Sequence, residues 1–430
     1  MRKFLLIFLL LPIVSFVSGQ TMAETRESFE EGKFFFARGD YQEAAYYFRK
    51  VVDSNPDNAH FNFLLGECYM NIPGEETLAV PHFLKATKKT TAKNKYRAKD
   101  FEESSAPLHA WFYLGNVYRI ANRLEDALMA YDTFVRSPFY YGNYNVNIVE
   151  NEIKSCERAK IILDSPVEFV ELALDTMINT SASEIYPVVS ADGQSMAFIR
   201  RLKFYDAIFF VTKNGDSWSQ PVNLNPLILS DGDFYPVCLS GDGNELYLVK
   251  KSLEGSDLYV SHRNGVSWSK AEPLSKFINS RAYETSACIS LDKQTLWFTS
   301  SRKGGSGGFD IYYSARDKNG QWGRPKNAGK IINTPFDEES PHLCIGDKTL
   351  FFSSKGHYSM GGYDIFHTSR NGKTWGDPVN IGFPVNNTAD NIGFVPLSNG
   401  TTGYISRINR ESGTSEDIFR VTLKSNLPSP

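Results

Sequence analysis

The fold is decided by a stretch that begins at Ser300, ends at Tyr313 and reads SSRKGGSGGFDIYY. Its glycines predict a tight connection, and the apolar and aromatic residues that follow the aspartate are typical of a β-strand. The same signal of an aspartate followed by apolar and aromatic residues recurs along the second half of the chain. It begins at Asp257, Asp310, Asp364 and Asp417, with Asp206 as a looser first example. This recurrence predicts a repeated β-structure.

Four tryptophans mark the same repeat, and each follows an Asn-Gly pair. They are Trp218, Trp268, Trp322 and Trp375, and a period of about 50 residues is typical of one propeller blade. Asn-Gly adopts the positive φ angles that tight hairpins need, so each pair predicts a turn between two strands. Each repeat therefore holds four short strands, which indicates a β-propeller.

Five copies of the repeat are present, and each opens on an acidic residue: Glu184, Asp233, Glu284, Glu339 and Asp390. The fifth copy ends near Leu423 without its outer strand, and residues 165–180 resemble the missing piece. We therefore predict a five-bladed propeller over residues 165–424 in which the first strand completes the last blade. Such a closure removes free sheet edges.

Residues 20–164 carry a different, helical pattern whose spacing resembles that of tetratricopeptide repeats. Gly32, Gly66 and Gly115 occupy the eighth position of three copies, where a small residue lets the second helix of each pair approach the first. Stacked pairs of this kind bury a continuous core. Residues 93–106 are charged and lack helical period, which predicts an exposed insertion. Residues 147–163 form a further amphipathic pattern and are expected to cap the stack.

The first 19 residues have the features of a cleaved secretory signal. Arg2 and Lys3 precede an apolar run that ends near Val14, and Val17-Ser18-Gly19 offers a small-residue cleavage site. No later segment is apolar enough to predict a membrane span, and residues 425–430 form a short polar tail. The mature chain is therefore expected in the periplasm, either free or held at the inner face of the outer membrane by a partner.

The combination of these repeats resembles a known family. The blade motif at Ser300–Tyr313 resembles the WD40-like (PD40) repeats of TolB-type propellers. Behind helical repeats and a signal peptide, it looks like the PorE-like periplasmic proteins of Bacteroidota. That resemblance implies an envelope-associated role linked to type IX secretion or gliding machinery. PorE itself resembles a longer architecture with an OmpA-like domain, whereas this chain stops at Pro430, so peptidoglycan is expected as an indirect or weak partner only.

Several classes of function are not favoured by the residues. The net charge is −3, and lysine and arginine are spread along the chain instead of forming a basic stripe, which argues against nucleic-acid binding. No Gly-x-Ser-x-Gly elbow or His-Glu-x-x-His motif is present, so we predict a protein that is not an enzyme and has neither cofactor nor metal. Cys238, Cys288 and Cys344 fall at nearly the same place in successive repeats and are interpreted as small buried residues.

The helical region supplies the first candidate site. The fifth position of each first helix is phenylalanine, and these three side chains could form the apolar floor of a groove for an extended peptide. Polar and charged residues flank them and could fix its orientation. The alternative is that the phenylalanines pack against the insertion or the propeller. The candidate partner-binding residues are Arg26, Phe29, Lys33, Phe63, Phe112, Asn116 and Arg119.

The acidic residues that open the five repeats supply a second candidate site, at the mouth of the propeller channel. Paired carboxylates serve glycosidases, but repetition in every blade favours a structural role, such as accepting backbone hydrogen bonds. Three functions therefore stay in view. The first is a scaffold or adaptor that binds envelope proteins or peptide segments, the second is a module that binds glycan or peptidoglycan fragments in the channel, and the third is a propeller glycosidase.

Overall fold

The structure is a computed structural model that describes residues 21–252, 255–409 and 415–424. The predicted signal at residues 1–19 and the tail at 425–430 lie outside the described residues. The chain divides into two compact units, with the boundary between Trp111 and Phe112. This differs from the predicted boundary at 164/165, because the last helices pack on the propeller and belong to its unit. Within the described residues, no helix combines the length and apolarity that crossing a membrane requires.

The first unit consists of two helical hairpins, and side-chain caps fix where their helices begin. Thr21, Asp40 and Asn58 accept hydrogen bonds from backbone N–H groups in the first turns of α1, α2 and α3. Such groups would otherwise be unsatisfied. The elements are α1 (Met22–Ala37), α2 (Tyr41–Ser54), α3 (Ala59–Met70), α4 (Ala79–Ala86), β1 (Thr90–Thr91) and β2 (Ala106–Pro107).

The glycines at the eighth position explain how each hairpin packs. A Cβ atom on Gly32 would lie 2.8 Å from the ring of Phe48, and one on Gly66 would lie 2.8 Å from the ring of Phe83. Both rings are fully buried between the two helices of their hairpin. Glycine is therefore required for the close approach of the helices, as the sequence spacing predicted.

The insertion between the second and third hairpins is exposed along much of its length, but buried side chains anchor it to the helices. Phe101 is 7% exposed and Ala106 is fully buried. The two ends of the insertion are joined where β1 and β2 pair in parallel, with Thr90 opposite Ala106. The missing helical period was interpreted as solvent exposure, but Phe101 is an apolar anchor that draws the loop onto the helices.

The second unit begins within α5 (Ala110–Ile120) and continues through α6 (Leu124–Arg136) and α7 (Val146–Leu163). Helix α7 corresponds to residues 147–163, the segment that was predicted to cap the helical stack. It contacts the propeller directly, because Asn151 donates a hydrogen bond of 2.8 Å to the carbonyl oxygen of Lys355. Helix α5 does the same through its last turn, where the carbonyl oxygen of Ile120 accepts a bond from the Thr388 hydroxyl.

The rest of the second unit is a five-bladed propeller, as predicted, with one antiparallel sheet per blade. Blade 1 comprises β4 (Glu184–Val189), β5 (Ser195–Arg201), β6 (Asp206–Asn214), β7 (Ser217–Trp218) and β8 (Val222–Asn223), followed by α8 (Asn225–Ile228). Blade 2 comprises β9 (Phe234–Leu239), β10 (Glu245–Ser252), β11 (Gly255–Asn264), β12 (Ser267–Trp268) and β13 (Glu272–Pro273). Blade 3 comprises β14 (Glu284–Ile289), β15 (Thr295–Ser300), β16 (Asp310–Ala315) and β17 (Lys326–Asn327).

Blade 4 comprises β18 (Glu338–Cys344), β19 (Thr349–Ser354), β20 (Asp364–Asn371), β21 (Thr374–Trp375) and β22 (Val379–Asn380). Blade 5 comprises β23 (Val395–Pro396), β24 (Thr402–Ile408), β25 (Glu416–Leu423) and β3 (Phe169–Ala173). Strand β3 precedes all the other propeller strands in sequence, yet it pairs with β25, with Phe169 opposite Leu423. The outer strand of the last blade thus comes from the start of the propeller.

The blades are joined through their innermost strands, and two cysteines take part. The Cys238 sulfur accepts a hydrogen bond from the backbone N–H of Ile289 in the next blade, at 3.4 Å. The Cys288 sulfur accepts one from Leu343 in the blade after that, at 3.2 Å. All five cysteines of the chain are unpaired and buried. The sulfurs therefore connect neighbouring blades without disulfides.

We expect none of the five thiols to react with a thiol reagent at pH 8 while the protein is folded. Burial excludes the reagent and raises the pKa of Cys156 and of Cys344 to about 12, so that the reactive thiolate is rare. Titration with Ellman's reagent should count no thiols in the native protein and five in guanidinium chloride. Ser217→Cys, at an exposed position, should add one fast thiol as a positive control. A disulfide or a fast native thiol would contradict the assignment.

Candidate functional site

The predicted apolar groove floor is present in the first unit but is covered. Phe29 is fully buried and Phe63 is 2% exposed. The Phe29 ring contacts the ring of Phe101 from the insertion at a centroid distance of 5.5 Å. The Phe63 ring contacts Tyr96, also from the insertion, at 5.9 Å. The expectation that these phenylalanines form an open floor is therefore wrong, because the insertion packs on them.

The two predicted cations of this groove bind the same insertion. The Arg26 guanidinium lies 2.6 Å from the Glu102 carboxylate and 4.7 Å from the centroid of the Phe101 ring. The Lys33 ammonium donates a bond of 3.2 Å to the carbonyl oxygen of Lys99. The residues that were expected to hold a partner peptide thus hold a segment of their own chain.

The remaining predicted groove residues lie in the second unit and have other roles. The ring of Phe112 contacts those of Tyr131 and Phe134 at 5.7 and 5.9 Å. Asn116 accepts a hydrogen bond of 2.8 Å from the Tyr131 hydroxyl. Both residues stabilise the packing of α5 on α6.

Arg119 is the clearest correction, since it is buried and does not line an open groove. Its guanidinium lies 3.1 Å from the Glu152 carboxylate of α7 and donates to the carbonyl oxygen of Thr388 in the loop that enters blade 5. Because a buried cation needs a charged partner, this pair joins α5, α7 and the propeller. The sequence did not reveal these partners of Arg119, since nothing in the repeat spacing relates α5 to Glu152 or to Thr388.

Three carboxylates on innermost strands have one shared structural role. Glu184 accepts hydrogen bonds from the backbone N–H and the hydroxyl of Thr180, four residues earlier, at 2.9 and 2.7 Å. Glu284 does the same with Ser280, at 3.0 and 2.8 Å. The third is Glu338, bound to Thr334 at 2.7 and 2.6 Å. Each carboxylate therefore fixes the loop by which the chain enters its blade.

The other predicted mouth residues differ from this pattern. In blade 4 the structural acceptor is Glu338, one residue before the predicted Glu339. In blade 5 it is Asn391, which accepts from the Asn387 N–H at 2.7 Å, and the predicted Asp390 accepts instead from the Tyr363 N–H at 2.9 Å. In blade 2 Asp233 pairs with Lys250 at 2.7 Å. The five residues therefore do not form one ring of equivalent carboxylates.

Glu339 is the predicted carboxylate whose surroundings favour a binding role. Burial raises its pKa to about 7, an effect opposed by the nearby cations Lys355 and Lys251. Burial also lowers the pKa of Lys251, and Glu339 opposes that effect. On the neighbouring innermost strands, Tyr186 and Tyr235 meet edge to face at 6.1 Å. This set combines aromatic and charged groups where the innermost strands begin.

The opposite ends of the innermost strands enclose a cavity of about 50 Å³. Its lining includes Cys238, Cys288, Cys344 and His342 among apolar side chains. Among the described residues, no three His, Cys, Asp or Glu side chains are grouped so that they could hold a metal ion.

An exposed cluster of aromatic residues on α1 and α2 was missed by the sequence analysis. Phe34 is 48% exposed and Tyr46 is 50% exposed. The rings of Phe35 and Tyr47 stack on each other, with centroids 5.6 Å apart and an interplanar angle of 7°. The signal was present as three consecutive phenylalanines, but only the middle one matched the repeat pattern. We call this cluster the aromatic patch; it comprises Phe34, Phe35, Phe36, Tyr41, Tyr46 and Tyr47.

Two cations lie on the aromatic patch. The Arg38 guanidinium lies 4.2 Å from the centroid of the Phe34 ring, and the Lys50 ammonium lies 4.1 Å from that of Tyr46. Cations so placed are attracted by the negative face of the ring. The patch therefore presents apolar surface together with positive charge.

Comparison with known proteins identifies the helical repeat in part of the chain. A family model of the tetratricopeptide repeat matches residues 35–72. No curated protein matches the chain. TolB from Acinetobacter baumannii is similar over 61% of this chain at 14% identity and a TM-score of 0.38, and this chain covers 62% of the TolB chain, less than two thirds.

Two other solved structures are similar to parts of the chain. The catalytic domain of an α-L-arabinofuranosidase from Coprinopsis cinerea matches 60% of this chain and 98% of its own length, at 9% identity and a TM-score of 0.40. The first tetratricopeptide domain of Spaghetti, solved with an HSP90 peptide, matches 34% of this chain and 98% of its own, at 18% identity and a TM-score of 0.25. The chain thus combines tetratricopeptide-type hairpins with a five-bladed propeller that has TolB-like structural neighbours.

We predict that Glu284→Ala lowers the free energy of unfolding by about 3–5 kcal/mol, since it removes the carboxylate that pairs with the partly buried Arg302 and leaves the Ser280 N–H without its acceptor. Glu284→Gln keeps an acceptor oxygen and should cost less. Urea unfolding followed by tryptophan fluorescence measures the change. Glu272→Ala, on an exposed residue of β13, is the matched control and should stay within about 0.5 kcal/mol. Equal effects of the Glu284→Ala and Glu272→Ala changes would contradict the structural role.

We also predict that Glu67 makes the first unit less stable as the pH rises. Burial raises the pKa of this α3 carboxyl from 4.5 to about 8, so the folded state retains a proton that the unfolded chain releases. The stabilisation that the protonated Glu67 contributes is fully present below pH 4.5 and is lost as the pH rises through about 8.

Glu67→Gln cannot ionise, so it should gain about 1–3 kcal/mol over the original protein at high pH and little at low pH. Urea unfolding followed by far-UV circular dichroism between pH 4.5 and pH 9 measures the difference. Glu31→Gln, on an exposed residue of α1, should follow the original curve. Parallel curves for the Glu67→Gln variant and the original protein would count against the shifted carboxyl.

Proposed function

We propose that this chain is an exported, non-catalytic scaffold or adaptor that binds other proteins of the cell envelope. The observation that carries the proposal is the aromatic patch, because clusters of exposed aromatic side chains with cations are characteristic of protein interfaces. Tetratricopeptide-type hairpins are consistent with this role. The signal-like first 19 residues support export to the periplasm.

The structural use of the propeller carboxylates supports a role without catalysis. Glu184 and Glu284 are fully buried and bind the loops that enter their blades, whereas a glycosidase needs two carboxylates that flank its substrate. A link to type IX secretion or gliding machinery is the finer form of the proposal and is supported by the resemblance to PorE-like proteins.

The test is quantitative co-purification from native envelopes with matched variants. Phe34→Ser/Tyr46→Ser removes the two most exposed rings of the aromatic patch, and Met129→Ser removes a still more exposed apolar side chain elsewhere, since Met129 is 68% exposed. The proposal expects at least one envelope protein that is retained by the original chain and by Met129→Ser but lost by the double variant. Thermal midpoints should stay equal, because surface changes rarely exceed about 0.5 kcal/mol. Retention of the same proteins by all three chains would refute the patch as an interface.

A second candidate is the binding of glycan or peptidoglycan fragments at the channel end lined by Tyr186 and Glu339. Its supporting observation is the pairing of Tyr186, which is 45% exposed, with the ring of Tyr235 beside Glu339 and Lys251. Aromatic faces and carboxylates together suit sugar recognition. Muropeptides should then raise the thermal midpoint, and Tyr186→Ala/Glu339→Gln should abolish the rise, whereas Glu272→Gln should not. Turnover of the same glycans would instead support a glycosidase.

A further inference from the structure

The groove of the first unit is occupied by residues 96–105 of the same chain, which we call the groove segment. Its base is the two-residue pairing of β1 with β2, and between these strands the segment runs without regular secondary structure. It lies on α1 and α3, the first helices of their hairpins. The groove segment thus stands where a tetratricopeptide groove would hold a separate peptide.

One side chain of the groove segment is a buried apolar anchor. The Phe101 ring fits among aromatic side chains of α1 and α3, with centroids 5.5 Å from Phe29 and 5.6 Å from Phe61. A second aromatic residue, Tyr96, hydrogen-bonds the Nδ1 atom of His60 at 2.7 Å through its hydroxyl group. Buried aromatic anchors of this kind dominate the energy of peptide recognition.

The anchor and the residue that follows it are both recognised by one cation. The Arg26 guanidinium lies over the Phe101 ring at 4.7 Å and pairs with the Glu102 carboxylate at 2.6 Å. An aromatic residue followed by an acidic residue satisfies both contacts at once. A single cation of the groove therefore contacts both of these neighbouring side chains.

Other contacts hold the backbone of the groove segment and do not depend on its side chains. Lys33 donates to the carbonyl oxygen of Lys99 at 3.2 Å, and Asn58 donates to that of Glu103 at 3.2 Å. Bonds to main-chain carbonyls accept any sequence of suitable extended conformation. The same two donors can therefore serve a segment from another protein.

We propose that the groove segment is an internal ligand that closes the groove, and that the external partner is an extended peptide segment with an aromatic residue followed by an acidic one. This second proposal rests on the proposed function and deepens it by adding a second interface, which the groove segment regulates. Binding of the partner displaces the groove segment. Its aromatic residue takes the place of Phe101, and its carboxylate takes that of Glu102.

The contacts at the rim make such displacement feasible. The side chains of Arg26 and Glu102 are 55% and 69% exposed, and an ion pair so exposed contributes little to stability. Two-residue strands add little cooperative pairing, and segments of this kind open at low free-energy cost. Because the groove segment is covalently linked to the helices, its effective concentration at the groove is about millimolar. A partner that binds weakly therefore cannot displace it.

The test uses a fluorescent peptide with the sequence of residues 95–106 as the external ligand. Fluorescence anisotropy measures its binding to the full chain. Phe101→Ala/Glu102→Ala weakens the internal ligand and should bind the peptide about tenfold or more tighter than the original chain, because competition from the tether is removed. Adding Arg26→Ala to that variant should reverse the gain, and a peptide with alanine in place of its phenylalanine should bind neither chain.

A second variant keeps the test decisive if the first one does not fold. Glu102→Arg replaces an exposed side chain and puts a second positive charge beside Arg26. This repulsion should weaken the internal ligand and so increase peptide binding, whereas Glu31→Arg on the same unit should not. Absence of peptide binding by a folded Glu102→Arg chain, or equal binding by the original and variant chains, would overturn the proposal. Neither result depends on the aromatic patch, so loss of one interface does not imply loss of the other.

Discussion

The propeller depends on one constraint, which is that no sheet edge of the last blade can be left unpaired. An open edge presents a row of unsatisfied N–H and C=O groups and invites pairing with other chains. Strand β3 removes this edge by pairing with β25 along five residues, from Phe169 opposite Leu423 to Ala173 opposite Phe419. The helical region and the propeller are thereby joined at the strand that holds the ring closed.

Carboxylates and sulfurs complete what the strand pairing begins. The buried glutamates at the start of the innermost strands of blades 1, 3 and 4 satisfy N–H groups of the loops that enter these blades, so these loops have defined positions. On the innermost strands of blades 2 and 3, Cys238 and Cys288 accept amide hydrogen bonds from the next blade. These contacts use residues that a sequence comparison with enzymes would associate with catalysis or metal binding. Their chemistry here is that of hydrogen-bond acceptors in a core.

The repeats could be predicted from the sequence because each rests on local and periodic chemistry. Asn-Gly turns, recurring tryptophans and glycines that face Phe48 and Phe83 specify their own surroundings, and copies of the pattern reinforce one another. The closing strand was found in the same way, since residues 165–180 resemble a blade tail. Non-periodic residues carry no such information. Arg119 matched a groove position in its repeat, but its partners Glu152 and Thr388 are distant in sequence.

The groove itself shows the same limit. Phe29 and Phe63 were placed correctly on the inner face, but the covering role of Phe101 depends on how a non-repetitive loop folds back. A composition rich in lysine and glutamate favours solvent exposure, and most of these charged side chains are exposed, but the buried Phe101 holds the loop on the helices. The one-residue difference between Glu338 and Glu339 has another cause. The Ser or Thr that donates to each acceptor lies four residues before it, and this spacing, which the sequence analysis did not use, marks Glu338 as the equivalent of Glu184 and Glu284.

The pairing of β3 with β25 also determines when the propeller can form. Nearby, the Ile418 N–H donates to Asn179 across 239 positions of sequence, so the ring cannot close until nearly the whole chain is present. Contacts of such long range slow folding. A chain that emerges from its amino terminus therefore holds an incomplete toroid, with exposed blade edges, until the final strand is available to pair with β3.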